Sequence, residues 1–230
     1  MNNDLSAWHS RLFTTACSRI SEEALSKLGQ ELGPQGAMDE YRDDAGHRRP
    51  ADAPFLAHLL RFPVASPLRN EAAAPDEVLW HQVALVTANR EPVVINRVTS
   101  VHDRMLSPAS RDIGIEVWTE TELSTLHALS WLDQGKRCLD AAEFMLEEVQ
   151  PDNGTNHPWA IHIFIAMEAI FGRRDAGMYA QTLLHNAMMS SQSPEAGVPD
   201  SFSALILHDA ATWLAAVGTR HEITEWFERE

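Results

Sequence analysis

Apolar positions recur at helical spacing along most of this chain. Near its start, Leu5, Trp8, Leu12, Ala16, Ile20, Ala24, Leu28 and Leu32 step by three or four residues. That spacing lines one face of an amphipathic helix, or of two in line. Asp4 stands where a cap would, and Gly33 where the helix would stop. Residues 33–52 are polar, and "YRDDAGHRRPAD" reads as a loop or an exposed turn. Helices are expected over 53–62 and 76–88. From Pro92 to Leu106 the segment is rich in β-branched residues, yet Val94, Val98, Val101 and Met105 keep helical spacing. "DIGIEVW", residues 112–118, alternates like a short extended segment.

Beyond residue 118 the pattern is more regular. Thr119 and Glu122 have capping-box spacing, with Trp118 and Leu123 placed as a hydrophobic staple. A helix is expected from there to about Asp133, and a second from Gly135 to about Val149. Pro151 to Gly154 break the chain. Thr155 or Asn156 caps a third helix that has Pro158 in its first turn and ends at Gly172. Asp175 caps a fourth, running to Met189. Asp200 or Ser201 caps a fifth, ending at Gly218, and a short sixth closes the chain. Short loops alternate with long ones, so the six helices pair as three antiparallel hairpins. The first helices of the pairs are alike: "LSTLHALSWL", "PWAIHIFIAM" and "FSALILHDAATWL" each set a His and a Trp among aliphatics. A repeat of about 40 residues is the mark of stacked helical hairpins. The expected fold is therefore all-α, with about ten helices in antiparallel hairpins forming an α/α solenoid or incomplete toroid. It is one domain over 1–230, less regular over 1–118 and repetitive over 119–230.

The stretch from Thr119 to Val217 resembles the hairpins of α/α-toroid proteins, the architecture of squalene-cyclase-like and several carbohydrate-active proteins. It is similar in particular to bacterial proteins of unknown function with a "PDN-x-T-N-x-P-W-A" turn, here Pro151 to Ala160. The resemblance implies a fold. The aromatic-glutamine repeat of the cyclases is absent, so their chemistry is not implied.

Charge narrows the functional classes. The net charge is −15, and residues 116–230 carry 18 acids against 6 bases. Such a field repels phosphate backbones and anionic membranes, so no nucleic-acid or membrane partner is expected. It suits a protein partner or a small polar or cationic ligand, and leaves self-association open. Cys17 and Cys138 match no metal or redox spacing, which fits a reducing, cytoplasmic setting. No apolar run has the length of a membrane span, because Glu168 interrupts the longest one. Nothing in the sequence demands a cofactor.

Candidate chemistry is sparse. His162, inside the apolar run Trp159–Phe171, has no polar partner one turn away and is expected to be a buried, neutral, structural histidine. His127, His162, His185 and His208 fall one to a helix, with Asp209 beside the last. No two of them stand at one-turn ligand spacing, so no metal site is expected. Asp39, Glu40 and Asp43 have the spacing of magnesium-binding acids but lie in a polar stretch that reads as a solvated loop. The rim formed by the long loops is the expected binding region. Glu147 and Glu148 sit at a helix C-terminus, where acids are disfavoured, and Asp152, Asn153, Asn156 and His157 adjoin them. The leading expectation is a non-enzymatic interaction or ligand-binding module. The alternative is a small α/α-toroid hydrolase or lyase acting on a carbohydrate or similar polar substrate through rim carboxylates and histidines.

Overall fold

The computed structural model describes residues 5–21, 23–28, 30, 42–64, 73–88, 104–109, 112–150 and 157–229. Among them every regular element is helical: α1 (Leu5–Cys17), α2 (Asp52–Leu59), α3 (Pro75–Thr87), α4 (Ile115–Trp131), α5 (Gly135–Glu148), α6 (Ile161–Phe171), α7 (Arg174–Met189), α8 (Ser201–Val217) and α9 (Arg220–Phe227). Residues 23–28 add a further helical stretch. No single helix among the described residues is long and apolar enough to cross a membrane.

The N-terminal periodicity resolves into two pieces. The α1 helix unwinds after Cys17, where the Ser18 hydroxyl turns back onto the Thr15 carbonyl, 2.7 Å away. Ser21 then restarts the helix by accepting from the Ala24 N–H at 3.1 Å. The Asp4 and Gly33 signals, and most of Pro92–Leu106, lie outside the described residues; Arg104 to Ser107 are not helical.

Several expected boundaries are corrected. "DIGIEVW" is not extended: after a turn at 112–114 the helix begins at Ile115. Thr119 and Glu122 therefore lie inside α4 and form no capping box. The Glu122 carboxylate accepts instead from the backbone of Leu106 (2.5 Å) and Ser107 (2.7 Å), pinning that loop to α4. Trp118 and Leu123 are buried in the helix body, not a staple. The true capping box is Thr219–Glu222, at the start of α9. Pro158 precedes α6 and is not in its first turn, since that helix starts at Ile161 behind a left-handed Ala160 (φ 56°, ψ 12°). Asp175 sits within the first turn of α7, one residue past its start. Asp200 does cap α8, accepting from Phe202 (3.0 Å) and Ser203 (2.9 Å), and Gly172 does end α6 in the left-handed region.

Burial sorts the hairpins into inner and outer helices. In α4, α6 and α8 the buried positions run almost all round, whereas in α5 and α7 they form one stripe. The α6 helix is central, fully buried from Ile161 to Met167, and meets α7, α8, α5, α9, α1 and α4. The α1 helix lies along α8, and the α2–α3 pair packs on α4 through α3. These long-range contacts draw the array into a compact bundle. Gly135 permits a close approach of α5 and α9: a Cβ there would collide with the Trp226 carbonyl of α9.

Candidate functional site

Among the described residues, two polar constellations stand out, one sealed in the core and one open to a cavity. The sealed one centres on Asp209 of α8, 2% exposed. Its Oδ1 accepts from His58 Nε2 at 3.1 Å. Its Oδ2 accepts from His127 Nε2 at 3.1 Å and from the Trp131 indole N–H at 2.8 Å. Burial alone would push this carboxyl up. The His58 charge and the hydrogen bonds of both histidines hold it well below the usual carboxylate range. The tautomer of His127 is set from outside the pair. The Ala160 N–H donates to His127 Nδ1 at 3.2 Å, so Nδ1 is an acceptor and the single ring proton is on Nε2, facing Asp209.

His162 stands beside this network, its ring centroid 4.3 Å from that of His127. It is fully buried, and burial holds its pKa well below the ordinary value. Its Nε2 lies 2.8 Å from the Ser130 hydroxyl, which itself donates to the His127 carbonyl at 2.7 Å. Ser130 must therefore accept, and His162 Nε2 carries the proton. The partner is a serine that sequence spacing could not single out. The remaining histidines of the one-per-helix set do not join: His185 is exposed, and His208 faces Phe13 of α1. Among the described residues no group of three or more His, Cys, Asp or Glu converges as a ligand set.

The open constellation lines a cavity of about 280 Å³. Three segments build it. The loop before α2 supplies Arg49, and the first residue of α2 is Asp52. These two clasp each other, the Arg49 N–H donating to Asp52 Oδ2 at 2.6 Å and the Asp52 N–H to the Arg49 carbonyl at 3.1 Å. The second turn of α4 supplies Glu120. The turn before α6 supplies His157, whose Nδ1 lies 2.7 Å from Glu120 Oε1. Arg49 ties the segments together by pairing with Asp76 at the start of α3, with Glu120 (3.1 Å) and with the Thr121 hydroxyl (3.3 Å). The loop is anchored at its other end by Asp44, which accepts from the Ser201 N–H at 3.0 Å and from Arg19 at 3.1 Å. The loop is thus held in place although most of its residues are exposed as expected, and the Asp43 side chain is only 7% exposed. Asp39 and Glu40 lie outside the described residues.

The charges in this cavity are strongly biased. Burial pushes the Asp52 carboxyl up to about 6, against the pull of Arg49 and His157. Burial also acts on Glu120, but the His157 hydrogen bond and the Arg49 charge win and bring it down to about 2. His157 is raised despite burial, through its bond to Glu120 and the nearby Asp200 and Asp52 charges. Glu120 is thus a carboxylate near neutral pH, which favours the imidazolium of His157 and leaves its Nε2 over. That nitrogen, Asp52 Oδ1 and the Gln192 amide oxygen are all buried without a hydrogen-bond partner among the described residues, and all three residues line this one cavity. Buried polar atoms are almost always paired. Three orphans facing one space make a ready set of one donor and two acceptors.

No known protein family, no curated protein and no solved structure matches the chain. The toroid resemblance of residues 119–217 therefore rests on the helical-hairpin pattern alone.

Of the rim residues, His157 lines the cavity. Glu147 lies on the surface and pairs with Arg104 at 2.7 Å, and Arg104 also reaches Glu143 (3.6 Å) and the Asp140 carbonyl (3.1 Å). Glu148 is exposed. Asp152, Asn153 and Asn156 lie outside the described residues. Sequence reasoning missed Arg49, Asp52, Glu120 and Gln192, because they come from separate segments and share no periodicity. The one visible signal was the density of charge in "YRDDAGHRRPAD".

Proposed function

We propose that this protein binds a small polar ligand in the Arg49–Asp52–Glu120–His157 cavity, with the helical hairpins, stacked as an α/α array, serving as its rigid holder. The observation that carries this is the convergence of three unpartnered buried polar atoms on one cavity. A ligand with neighbouring donor and acceptor groups would receive from His157 Nε2–H and give to Asp52 Oδ1 and Gln192. Such a site costs stability when empty, and natural sites retain that cost for recognition. The cavity volume is at the small end for ligand pockets, which favours a metabolite over a peptide.

Acid–base catalysis on the same ligand is the second function to test. It is favoured by a carboxyl at about 6 facing a histidine ordered by a carboxylate. No Ser, Thr or Cys is among the described lining residues, so proton transfer fits better than a covalent acyl intermediate.

A thermal-shift screen of sugars, polyols, amino acids and carboxamides tests binding. The expected result is at least one class that raises the melting temperature of the wild type but not of Asp52→Leu or His157→Leu. A screen with no stabilising compound, or equal stabilisation of both variants, would overturn the assignment. Conversion of a stabilising compound, followed by product detection, separates catalyst from binder.

A further inference from the structure

We infer that the ligand of the Arg49–Asp52–Glu120–His157 cavity presents a primary carboxamide, R–CO–NH2, to the three unpartnered atoms in its wall. The inference rests on the binding reading above and adds the chemical class.

The three atoms are aimed before any ligand arrives. Asp52 is 5% exposed, and its Oδ2 is held by the Arg49 N–H at 2.6 Å, so Oδ1 is the oxygen left for the cavity. His157 is held through Nδ1 by Glu120 at 2.7 Å, with its ring set edge-to-face against Phe202, centroids 5.1 Å apart. Its free position is Nε2. Gln192 sits on the loop between α7 and α8, where its backbone N–H donates to the Ser190 hydroxyl at 3.2 Å. Such preorganisation lowers the cost of binding.

Two oxygen acceptors and one N–H donor thus face the cavity. A primary carboxamide carries the complement, two N–H donors on one nitrogen and one carbonyl acceptor. Its N–H groups would go to Asp52 Oδ1 and Gln192 Oε1, and its carbonyl would receive from His157 Nε2. Other small polar groups leave a buried atom unmatched, which is costly. A carboxylate has no hydrogen for either oxygen and sets a second negative charge beside Asp52. Arg49 does not offset that charge, being engaged with Asp76 and Glu120. An ammonium has nothing to accept from His157 and adds positive charge beside the imidazolium. A vicinal diol supplies both donors, but its four lone pairs meet a single N–H. Val117, the one aliphatic among the described lining residues, is 57% exposed and so stands at the mouth, where the alkyl part R would lie.

Butyramide is the probe, titrated into the full-length protein by calorimetry near neutral pH. Butyrate, butylammonium, the vicinal butanediol and N,N-dimethylbutyramide are its comparators. Saturable butyramide binding at millimolar concentration is expected, with each comparator weaker by at least about fivefold. Asp52→Asn is the decisive variant. Its amide oxygen keeps the Arg49 N–H, so the fold is retained, while its NH2 group opposes the N–H of the ligand. Butyramide should weaken there by about tenfold or more. Gln192→Leu, a loop substitution, should weaken it about fivefold. A diol, carboxylate or ammonium that binds more tightly than butyramide would overturn the class and leave the binding site standing. Butyramide binding unchanged in a folded Asp52→Asn protein would overturn it as well. If no member of the series saturates, the carboxamide class fails, and the wider thermal-shift screen separately decides whether the cavity binds at all.

Discussion

Replacing Asp209 by alanine and by asparagine should give very different losses, and the difference follows from which oxygen takes which donor. In the native core Oδ2 accepts from both His127 and Trp131, while Oδ1 accepts from His58 alone. Alanine strands all three donors. Each orphaned donor costs roughly 1–3 kcal/mol, offset by no longer having to desolvate a carboxylate. A net loss of about 3–5 kcal/mol is expected, as when one partner of a buried pair is removed. That is a large share of the ~5–15 kcal/mol that holds a domain folded. Asparagine can keep its carbonyl oxygen in the Oδ2 place and still satisfy His127 and Trp131. Its amide then donates from the Oδ1 place, so His58 must present Nε2 as an acceptor. His58 can do this, because its Nδ1 lies 2.6 Å from the Thr87 hydroxyl, which already donates to the Val83 carbonyl at 2.9 Å. His127 could not make that switch, since its Nδ1 is taken by the Ala160 N–H. Asparagine should therefore cost only about 1–2 kcal/mol. In a chain of this size each kcal/mol shifts the melting temperature by about 2–4 °C. Alanine should lower it by roughly 10 °C, asparagine by only a few degrees. Acid response should differ as well. A carboxylate held below its unfolded value stabilises the fold above that value, and the stabilisation is lost as pH falls through the lower folded one. The asparagine variant should lack that loss below about pH 4. Urea titrations at neutral and acid pH measure both effects. Equal damage from the two substitutions would refute the assignment of donors, and an alanine variant within about 1 kcal/mol of wild type would show that the network does not hold the core.

Three more outcomes are expected. Asp52→Asn should stabilise the empty protein: a carboxyl raised to about 6 favours folding while protonated and opposes it as pH rises from about 4 through 6. The gain should reach about 2–3 kcal/mol above pH 6 and vanish below pH 4, read from urea midpoints, and a destabilised variant at neutral pH would contradict it. His162→Leu should cost under about 1 kcal/mol at neutral pH, because Ser130 keeps its bond to the His127 carbonyl and the Nδ1 of His162, which has no partner among the described residues, is removed. The histidine is lowered, so its neutral form supports the fold above the unfolded value near 6.5, and stability is lost below it; the leucine protein should show a shallower acid slope by up to ~1.4 kcal/mol per pH unit. Gly135→Ala should drop the melting temperature by more than about 5 °C, because the collision is with backbone of α9 that no rotamer change can relieve; a neutral effect in calorimetry would mean that α9 is free to shift.

The sequence by itself determined the helical class, the first two pairings among the last six helices and several of their ends; the last helix instead turns across the end of α8 and packs on α5 and α6. Those features are local: apolar spacing, Asp200 as a cap and Gly172 in a left-handed turn act within a few residues. Local signals failed where two places offered the same pattern. Thr119–Glu122 and Thr219–Glu222 have identical capping-box spacing, but a helix already begun at Ile115 frees Glu122 for a loop 15 residues upstream. Burial of His162 was legible, because an apolar run of that length has to be inside. Its partner was not, since Ser130 lies 32 residues away on another helix. The candidate cavity was almost wholly a tertiary decision. Arg49, Asp52, Glu120 and His157 come from different segments, and each alone reads as an ordinary surface charge. Only packing removes them from water together: the burial pushes Asp52 up, the His157 and Arg49 contacts it brings together hold Glu120 down, and three polar atoms are left waiting for a partner.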